Sequence, residues 1–141
     1  MEYYFAPMEG VTGAEYRAVH HRHFPGVDRY YMPFITPTQD RVFTPRELRN
    51  IAPERNVGYC AVPQLLTKNA GDFNWAAGEL WAMGYDEVNL NLGCPSGTVT
   101  AKGKGAGMLA DLEGLDRFLD GIFSAARGKI SVKTRLGLRD P

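Results

Sequence analysis

The chain has 141 residues, of which 44% are hydrophobic, and its 16 basic and 16 acidic side chains leave a formal net charge of zero. These values are typical of one soluble globular domain with a sizeable core, and they argue against a nucleic-acid surface within these residues alone. No apolar run reaches the roughly 18 residues of a membrane helix, and MEYYFAPMEG lacks the layout of a secretory signal, so we expect a cytoplasmic protein without membrane contact. Cys60 and Cys94 are the only cysteines, which indicates reduced thiols rather than a disulfide scaffold.

Strand-like and helix-like segments alternate along the chain. The predicted strands cover residues 3–8, 29–34, 57–66, 88–92 and 130–134. The predicted helices cover residues 14–23, 69–83 and 112–126. Between the second and third strands, the proline-containing stretch 35–50 predicts a long polar connection with at most a short helix. Cys60 falls within the third strand, where we expect a small buried side chain.

This alternation of strands and helices predicts a parallel sheet with helices outside it. A (β/α)8 barrel needs eight such units in about 250 residues, and no helix follows the fifth strand before Pro141. The predicted fold is therefore α/β: the N-terminal portion, about five βα units, of a (β/α)8 TIM barrel that is truncated, with residues 1–141 forming a partial catalytic domain. A complete open α/β domain with five strands is the competing interpretation.

The stretch Glu87–Gly107, with the sequence EVNLNLGCPSGTVTAKGKGAG, contains the clearest candidate for a reactive side chain. Apolar residues alternate with two asparagines in VNLNL, which is the period of a strand, and Gly93 and Pro95 end that strand on either side of Cys94. In parallel α/β sheets the C-terminal ends of strands face the ligand, so the thiol lies where a reactive group belongs. The run 100–107, rich in glycine and lysine, predicts a mobile basic loop beside it. A small buried apolar side chain is the alternative for Cys94.

Four segments resemble the tRNA-dihydrouridine synthase family in the family's order. They are APMEGVTGAEYR from Ala6, VPQLL from Val62, NLNLGCPSGTV from Asn89 and VKTRLG from Val132. The resemblance implies an oxidoreductase that uses FMN, with NAD(P)H as electron source, to reduce the C5–C6 double bond of uridine in tRNA. It also implies that the later barrel units and a helical RNA-binding domain are absent from this chain, so that this piece alone would be inactive.

The reaction implied by the resemblance needs a hydride delivered to C6 of the base and a proton delivered to C5. The resemblance assigns the proton to Cys94, since a thiol is mostly protonated at neutral pH and can act as a general acid. It places Lys133 against the flavin ring, where a cation stabilises negative charge on the reduced ring. A charge within a strand needs a partner or a cavity, and a lysine that extends to solvent is the alternative.

The remaining candidate residues come from the first, third and fourth strands. Gln64 offers an amide donor and acceptor that can bind the imide edge of a flavin, although a buried amide bonded to the backbone is equally compatible with its position. The resemblance places the backbone of Pro7, Met8 and Glu9 against the flavin, where composition alone indicates a turn. It places Asn91 near the flavin or the uracil, and an asparagine at a strand end is also a common turn former.

The sequence also leaves two alternative functions open, predicts self-association and argues against a metal site. Another flavin barrel, such as a dihydroorotate dehydrogenase, and a non-catalytic half-barrel interaction module remain as alternative functions. The unpaired strand edge of such a half barrel predicts self-association. His20, His21 and His23 lie on one predicted helix with no Cys or carboxylate at ligand spacing, so we expect a surface face and no metal.

Overall fold

The computed structural model describes residues 1–138. Its strands are β1 Tyr4–Phe5, β2 Arg29–Tyr31, β3 Ala61–Val62, β4 Gln64–Leu65, β5 Glu87–Leu92 and β6 Lys129–Thr134. Its α-helices are α1 Ala14–His23, α2 Pro45–Ile51, α3 Ala70–Ala82, α4 Gly97–Thr100 and α5 Leu112–Phe123. Two short 3-10 helices cover Pro53–Arg55 and Gly105–Ala110. Strands and helices thus alternate in the predicted order.

Strands β3 and β4 are two halves of one extended segment separated by Pro63. Val62 pairs with Tyr31 of β2, whereas Gln64 pairs with Asn89 of β5, and both pairings are parallel. Proline has no N–H with which to continue a ladder, so the segment changes partner at Pro63, whose carbonyl oxygen accepts a 2.8 Å hydrogen bond from Asn89 N. The two three-stranded sheets, β1-β2-β3 and β4-β5-β6, therefore form one parallel series in chain order.

This series of strands is curved. A cavity of about 350 Å³ on its inner side is lined by Tyr4 and Ala6 at one end and by Val132 and Lys133 at the other. Neighbouring strands lie about 4.8 Å apart, so the two ends of a flat series would be too distant to line one cavity. Within residues 1–138, β1 and β6 each pair with one neighbour, and the sheet is not closed. The fold is therefore α/β with a curved, open parallel sheet, which is consistent with part of a barrel.

The apolar core lies between the outer face of the sheet and helices α3 and α5. The helices contribute Phe73, Ala76, Ala77, Leu80, Phe118 and Ile122, and the sheet contributes Leu65, Val88, Leu90 and Leu92. Helix α3 begins where the Asn69 side chain accepts a 3.0 Å hydrogen bond from Asp72 N, and α5 begins where Asp111 accepts a 2.9 Å bond from Gly114 N. Such caps satisfy backbone donors that have no partner within the helix.

The first three strands are shorter than the sequence predicts. Prolines explain much of the difference, because Pro7 and Pro33 follow β1 and β2 closely and Pro63 divides the third segment. The third segment becomes a strand only at Ala61, and Cys60 is exposed just before it. The prediction that Cys60 is buried is therefore wrong.

Two of the three histidines of α1 pack inward rather than forming a surface face. His20 Nδ1 lies 3.0 Å from the Tyr30 hydroxyl, and its ring contacts the ring of Phe5. His21 packs its ring against Tyr30 as well. In the described part of the chain, no three His, Cys, Asp or Glu side chains come together as a metal site would require. Over the same residues, no helix has the length and apolar character needed to cross a membrane.

Candidate active site

The inner face of the sheet is polar where β5 and β6 pair. Glu87 lies opposite Lys129, Asn89 opposite Ser131 and Asn91 opposite Lys133. Neighbouring residues in a parallel pair point to the same face, so these six side chains lie on the side away from the apolar core. All three β5 members are buried. The prediction that Asn89 and Asn91 share a face opposite the apolar residues of β5 is confirmed.

Five of the inner side chains form a continuous hydrogen-bonded row, which we call the inner polar row: Glu87, Ser131, Asn89, Gln64 and Asn91. Ser131 Oγ donates to Glu87 Oε1 at 2.5 Å, and Asn89 Nδ2 donates to Ser131 Oγ at 2.8 Å. Gln64 Nε2 donates to Asn89 Oδ1 at 2.7 Å. Asn91 Nδ2 donates to Gln64 Oε1 at 2.9 Å. The row therefore runs from the N-terminal to the C-terminal end of β5.

The Glu87 end of the row is a buried carboxylate with positively charged partners. Arg29 Nη1 binds Glu87 Oε2, Lys129 Nζ lies 2.8 Å from the same oxygen, and the Tyr31 hydroxyl lies 3.3 Å from Oε1. Burial alone would raise the pKa of Glu87, but hydrogen bonds from Lys129 and Ser131 and the charge of Arg29 outweigh it. The pKa of Glu87 therefore lies below its ordinary value, and the group is an anion at neutral pH.

The other end of the row holds the backbone at Cys94. Asn91 Oδ1 accepts hydrogen bonds from Gly93 N at 3.1 Å and from Cys94 N at 3.0 Å. Gly93 packs against the end of β6, since a Cβ at this position would lie 3.3 Å from the carbonyl carbon of Thr134. Cys94 is half-buried. The thiol thus lies at the C-terminal end of β5, beside the end of the neighbouring strand, as predicted.

The glycine-rich run after Cys94 folds back on it rather than forming an open loop. Ala106 N donates a 3.1 Å hydrogen bond to Cys94 O. Gly105 has φ +55°, and a Cβ there would lie 2.9 Å from Cys94 O, so only glycine fits this close approach. Lys102 is exposed, but Gly105 and Ala106 are buried. The sequence-based prediction of a loop over 100–107 is therefore wrong for its second half.

The predicted flavin-contacting residues lie in three places: on β6, in the turn after β1 and in the interior of the sheet. Lys133 is exposed on β6 and lines the inner cavity. Met8 and Glu9 are exposed and Pro7 is half-buried in the turn after β1, where Ala6, rather than any of the three, lines that cavity. Gln64 is fully buried within the inner polar row. The structure thus brings three of the predicted site residues together: Asn91 contacts Cys94, and Lys133 lies opposite Asn91 on β6. Residues 7–9 lie at the end of a different strand, β1.

Sequence reasoning missed the Glu87 end of the row. The sequence does contain a pattern that places Glu87 on the inner face, because Glu87 precedes Asn89 by two residues, as Asn89 precedes Asn91. Ser131 stands in the same relation to Lys133 on β6. The positions could have been assigned to the inner face, but their partners across β2 and β4 depend on sheet register, which one sequence does not show.

A curved parallel sheet with helices on its outer face is consistent with part of an α/β barrel, and barrel enzymes have their active sites at the C-terminal strand ends, where Cys94 lies. Residues 4–141 match the family model for dihydrouridine synthase, and the chain belongs to that family. The family comprises oxidoreductases that are generally flavin-dependent. The recognition made from four sequence segments is confirmed, and it favours this family over a dihydroorotate dehydrogenase.

Individual relatives agree with the family match. The chain is 32% identical over 143 residues to tRNA-dihydrouridine(16) synthase of Ralstonia nicotianae, covering 96% of this chain and 43% of the relative. It is 27% identical over 136 residues to a probable tRNA-dihydrouridine synthase 1 of Synechocystis sp., covering 96% and 37%. Over 55 residues it is 42% identical to tRNA-dihydrouridine(20/20a) synthase of Shewanella oneidensis, covering 39% and 16%. The chain therefore spans less than half the length of these relatives.

Proposed function

We propose that the full-length protein is a cytoplasmic, FMN-dependent tRNA-dihydrouridine synthase that reduces the C5–C6 double bond of uridine in tRNA, with NAD(P)H as electron source. Family membership supports the reaction class. The observation that carries the assignment is the position of Cys94, which is half-buried and has its backbone held by Asn91 at the end of β5. In α/β barrels this end of the sheet is where substrates bind.

In this proposal Cys94 donates the proton that adds to C5 of the uracil. The S–H group is the acid, and its accessible position allows a base to approach it. When bound, FMN supplies the hydride for C6, which is chemistry that no amino-acid side chain provides. Asn91 holds the backbone of Cys94 and also offers contacts to the flavin or the uracil at the same strand end.

The C-terminal strand ends above the inner cavity carry groups that would contact a flavin ring. Lys133 lies near the C-terminal end of β6 and makes no ion pair within residues 1–138, so its charge is available to the ring. Pro7, Met8 and Glu9 would contact the ring through their backbone. Gln64 retains one N–H and one lone pair for the ring, but its side chain is fully covered, so its neighbours must shift before a ring edge reaches it.

We further propose that residues 1–141 form about the first five βα units of a (β/α)8 barrel, and that the remaining units and a helical RNA-binding domain belong to the rest of the full-length protein. Within residues 1–138 the outer edges of β1 and β6 are unpaired, which supports this division. In many barrels the loops after the seventh and eighth strands bind phosphate. The isolated piece should therefore bind FMN weakly, be inactive and self-associate through its open edges.

The proposed function is tested by purifying the full-length protein and incubating it with unmodified tRNA and NADH or NADPH. We expect a yellow protein that contains FMN, and a uridine whose mass rises by two hydrogen atoms only when the nicotinamide donor is present. A protein that contains FMN and oxidises the donor but leaves every uridine unchanged would contradict the assignment. Omission of the tRNA provides the control for donor oxidation by oxygen.

A further inference from the structure

Side-chain amides can be reversed at little cost unless their neighbours fix the direction. The oxygen and nitrogen of an Asn or Gln amide exchange places by a half rotation, which turns each donor into an acceptor. Asn89, Gln64 and Asn91 are three such groups bonded in sequence. Reversing one of them requires reversing all three, so the direction of the row is set at its ends.

One end of the row requires an oxygen from Asn91. The backbone N–H groups of Gly93 and Cys94 can only donate, and both donate to Asn91 Oδ1. With its oxygen used in this way, Asn91 must present its nitrogen to Gln64. A reversed Asn91 amide would place its own N–H groups against those of the backbone and lose both bonds at Cys94.

The other end of the row requires a hydrogen-bond donor facing Glu87. An ionised carboxylate only accepts, so Ser131 must donate its hydroxyl hydrogen to Glu87 and accept from Asn89 through a lone pair. Arg29 and Lys129 hold the negative charge in place at Oε2. Each amide then has one permitted direction, and it is the direction that presents Asn91 Oδ1 to Cys94.

We propose that Glu87 and Ser131 are positioning residues that reinforce, from the far end of the inner polar row, the direction that the backbone at Cys94 requires, and thereby strengthen the hold of Asn91 on that backbone. Glu87 lies four residues before Asn91 on β5, a distance of roughly 13 Å along the strand. The relevance of this positioning to catalysis rests on the proposed role of Cys94. The positioning itself involves only side chains and backbone of this protein, so it can be measured without tRNA.

The test is hydrogen exchange at the backbone amides of Gly93 and Cys94, followed by NMR in the full-length protein without added tRNA. Ser131→Ala removes the hydroxyl that links Glu87 to Asn89, and leaves the charges at Glu87 in place. The change leaves Asn89 Nδ2 without its acceptor, so we expect exchange at both amides to rise roughly two- to tenfold, the equivalent of one typical hydrogen bond. Ser124→Ala, which changes an exposed serine at the end of α5, should leave exchange at wild-type rates.

Two further variants distinguish an effect of the Ser131 hydroxyl on the hydrogen bonds of the row from an effect of lost side-chain packing. Ser131→Thr keeps the hydroxyl and should restore wild-type protection. Glu87→Gln keeps the shape but replaces an acceptor with a group that can also donate, so it should raise exchange at Gly93 and Cys94 as Ser131→Ala does. If Glu87→Gln does not fold, the two serine variants still decide the question.

Wild-type exchange in Ser131→Ala would overturn the proposal, and so would equal acceleration in Ser131→Ala and Ser131→Thr. Failure of the proposed function is a separate result. If the full-length protein does not reduce uridine in tRNA, the synthase assignment is wrong, while the exchange rates still report on the inner polar row.

Discussion

The outer and inner faces of β5 are both buried, but their side chains are held in different ways. On the outer face, Leu90 packs among aliphatic and aromatic side chains of the helices, and these contacts have little directional preference. On the inner face, Asn89 makes one bond as acceptor and one as donor, each with a defined partner. The outer face should therefore tolerate changes of shape that conserve volume, whereas the inner face should not tolerate changes of chemistry that conserve shape.

The largest expected effect is on the outer face. Leu90 is fully buried, so Leu90→Ala should lower the free energy of unfolding by about 2–5 kcal/mol through lost burial and the cavity left behind. Leu90→Met, which nearly conserves the volume, should cost less than about 1.5 kcal/mol. Denaturant titrations of the full-length protein measure both values. Equal losses in the two variants would show that volume is not what matters at this face.

On the inner face, Asn89→Leu conserves size but removes both hydrogen bonds of the side chain. Gln64 Nε2 would lose its acceptor in a fully buried position, which should cost about 1–3 kcal/mol. The same denaturant titrations apply, and the comparison with Leu90→Met on the same strand is direct. An Asn89→Leu protein as stable as wild type would remove the distinction between the faces.

The charge of Glu87 makes the inner face sensitive to acid. Its pKa is lowered in the folded protein, so its contribution to stability is complete above the ordinary glutamate pKa of about 4.3 and is lost as pH falls through the lower folded value. The denaturant midpoint of the wild-type protein should fall as pH is lowered through this range, and the part of the fall that is due to Glu87 should be missing in Glu87→Gln. Glu79→Gln, at an exposed position on α3, should show the same fall as wild type. An identical acid profile for Glu87→Gln and wild type would contradict the account.

The smallest expected effect on stability is at Lys133, which lies at the open edge of the inner face. Lys133→Met keeps the aliphatic stem and removes the charge, so stability should hardly change, while FMN affinity of the full-length protein should fall roughly fivefold, as for a partly exposed charge interaction of about 1 kcal/mol. Lys102→Met, in an exposed turn after Cys94, is the matched control. Lys129 is unsuitable as a control because it binds Glu87. Equal FMN affinity in the two variants would place Lys133 outside the cofactor site.

The sequence predicted the features that depend on local patterns. The order of strands and helices, the alternation in β5 and the position of Cys94 after that strand all follow from residue spacing, and they are confirmed. The ends of the early strands were less predictable, because prolines end or divide a ladder only where neighbouring strands would have bonded to them. The exposure of Cys60 depends on the start of β3 at Ala61, which no proline marks.

The interior contacts could not be predicted from one sequence. Gln64 and Asn89 are 25 residues apart, and Asn89 and Ser131 are 42 apart, so their bonds exist only once the sheet register is set. The fold-back at Gly105 likewise depends on the backbone of Cys94, which the glycine spacing alone does not indicate. The role of Cys94 as proton donor to the uracil, and the roles of Lys133 and Gln64 toward FMN, are proposals based on the family.

The most direct test of the central claim is to separate the two half-reactions in a Cys94→Ala form of the full-length enzyme. Stopped-flow absorbance would follow reduction of the flavin by NAD(P)H, and tRNA analysis would follow reduction of uridine. With Cys94 as the acid, flavin reduction stays near the wild-type rate and uridine reduction falls by about a hundredfold or more. Cys60→Ala, at the exposed thiol just before β3, should leave both rates unchanged. Uridine reduction at the wild-type rate in Cys94→Ala would contradict the account.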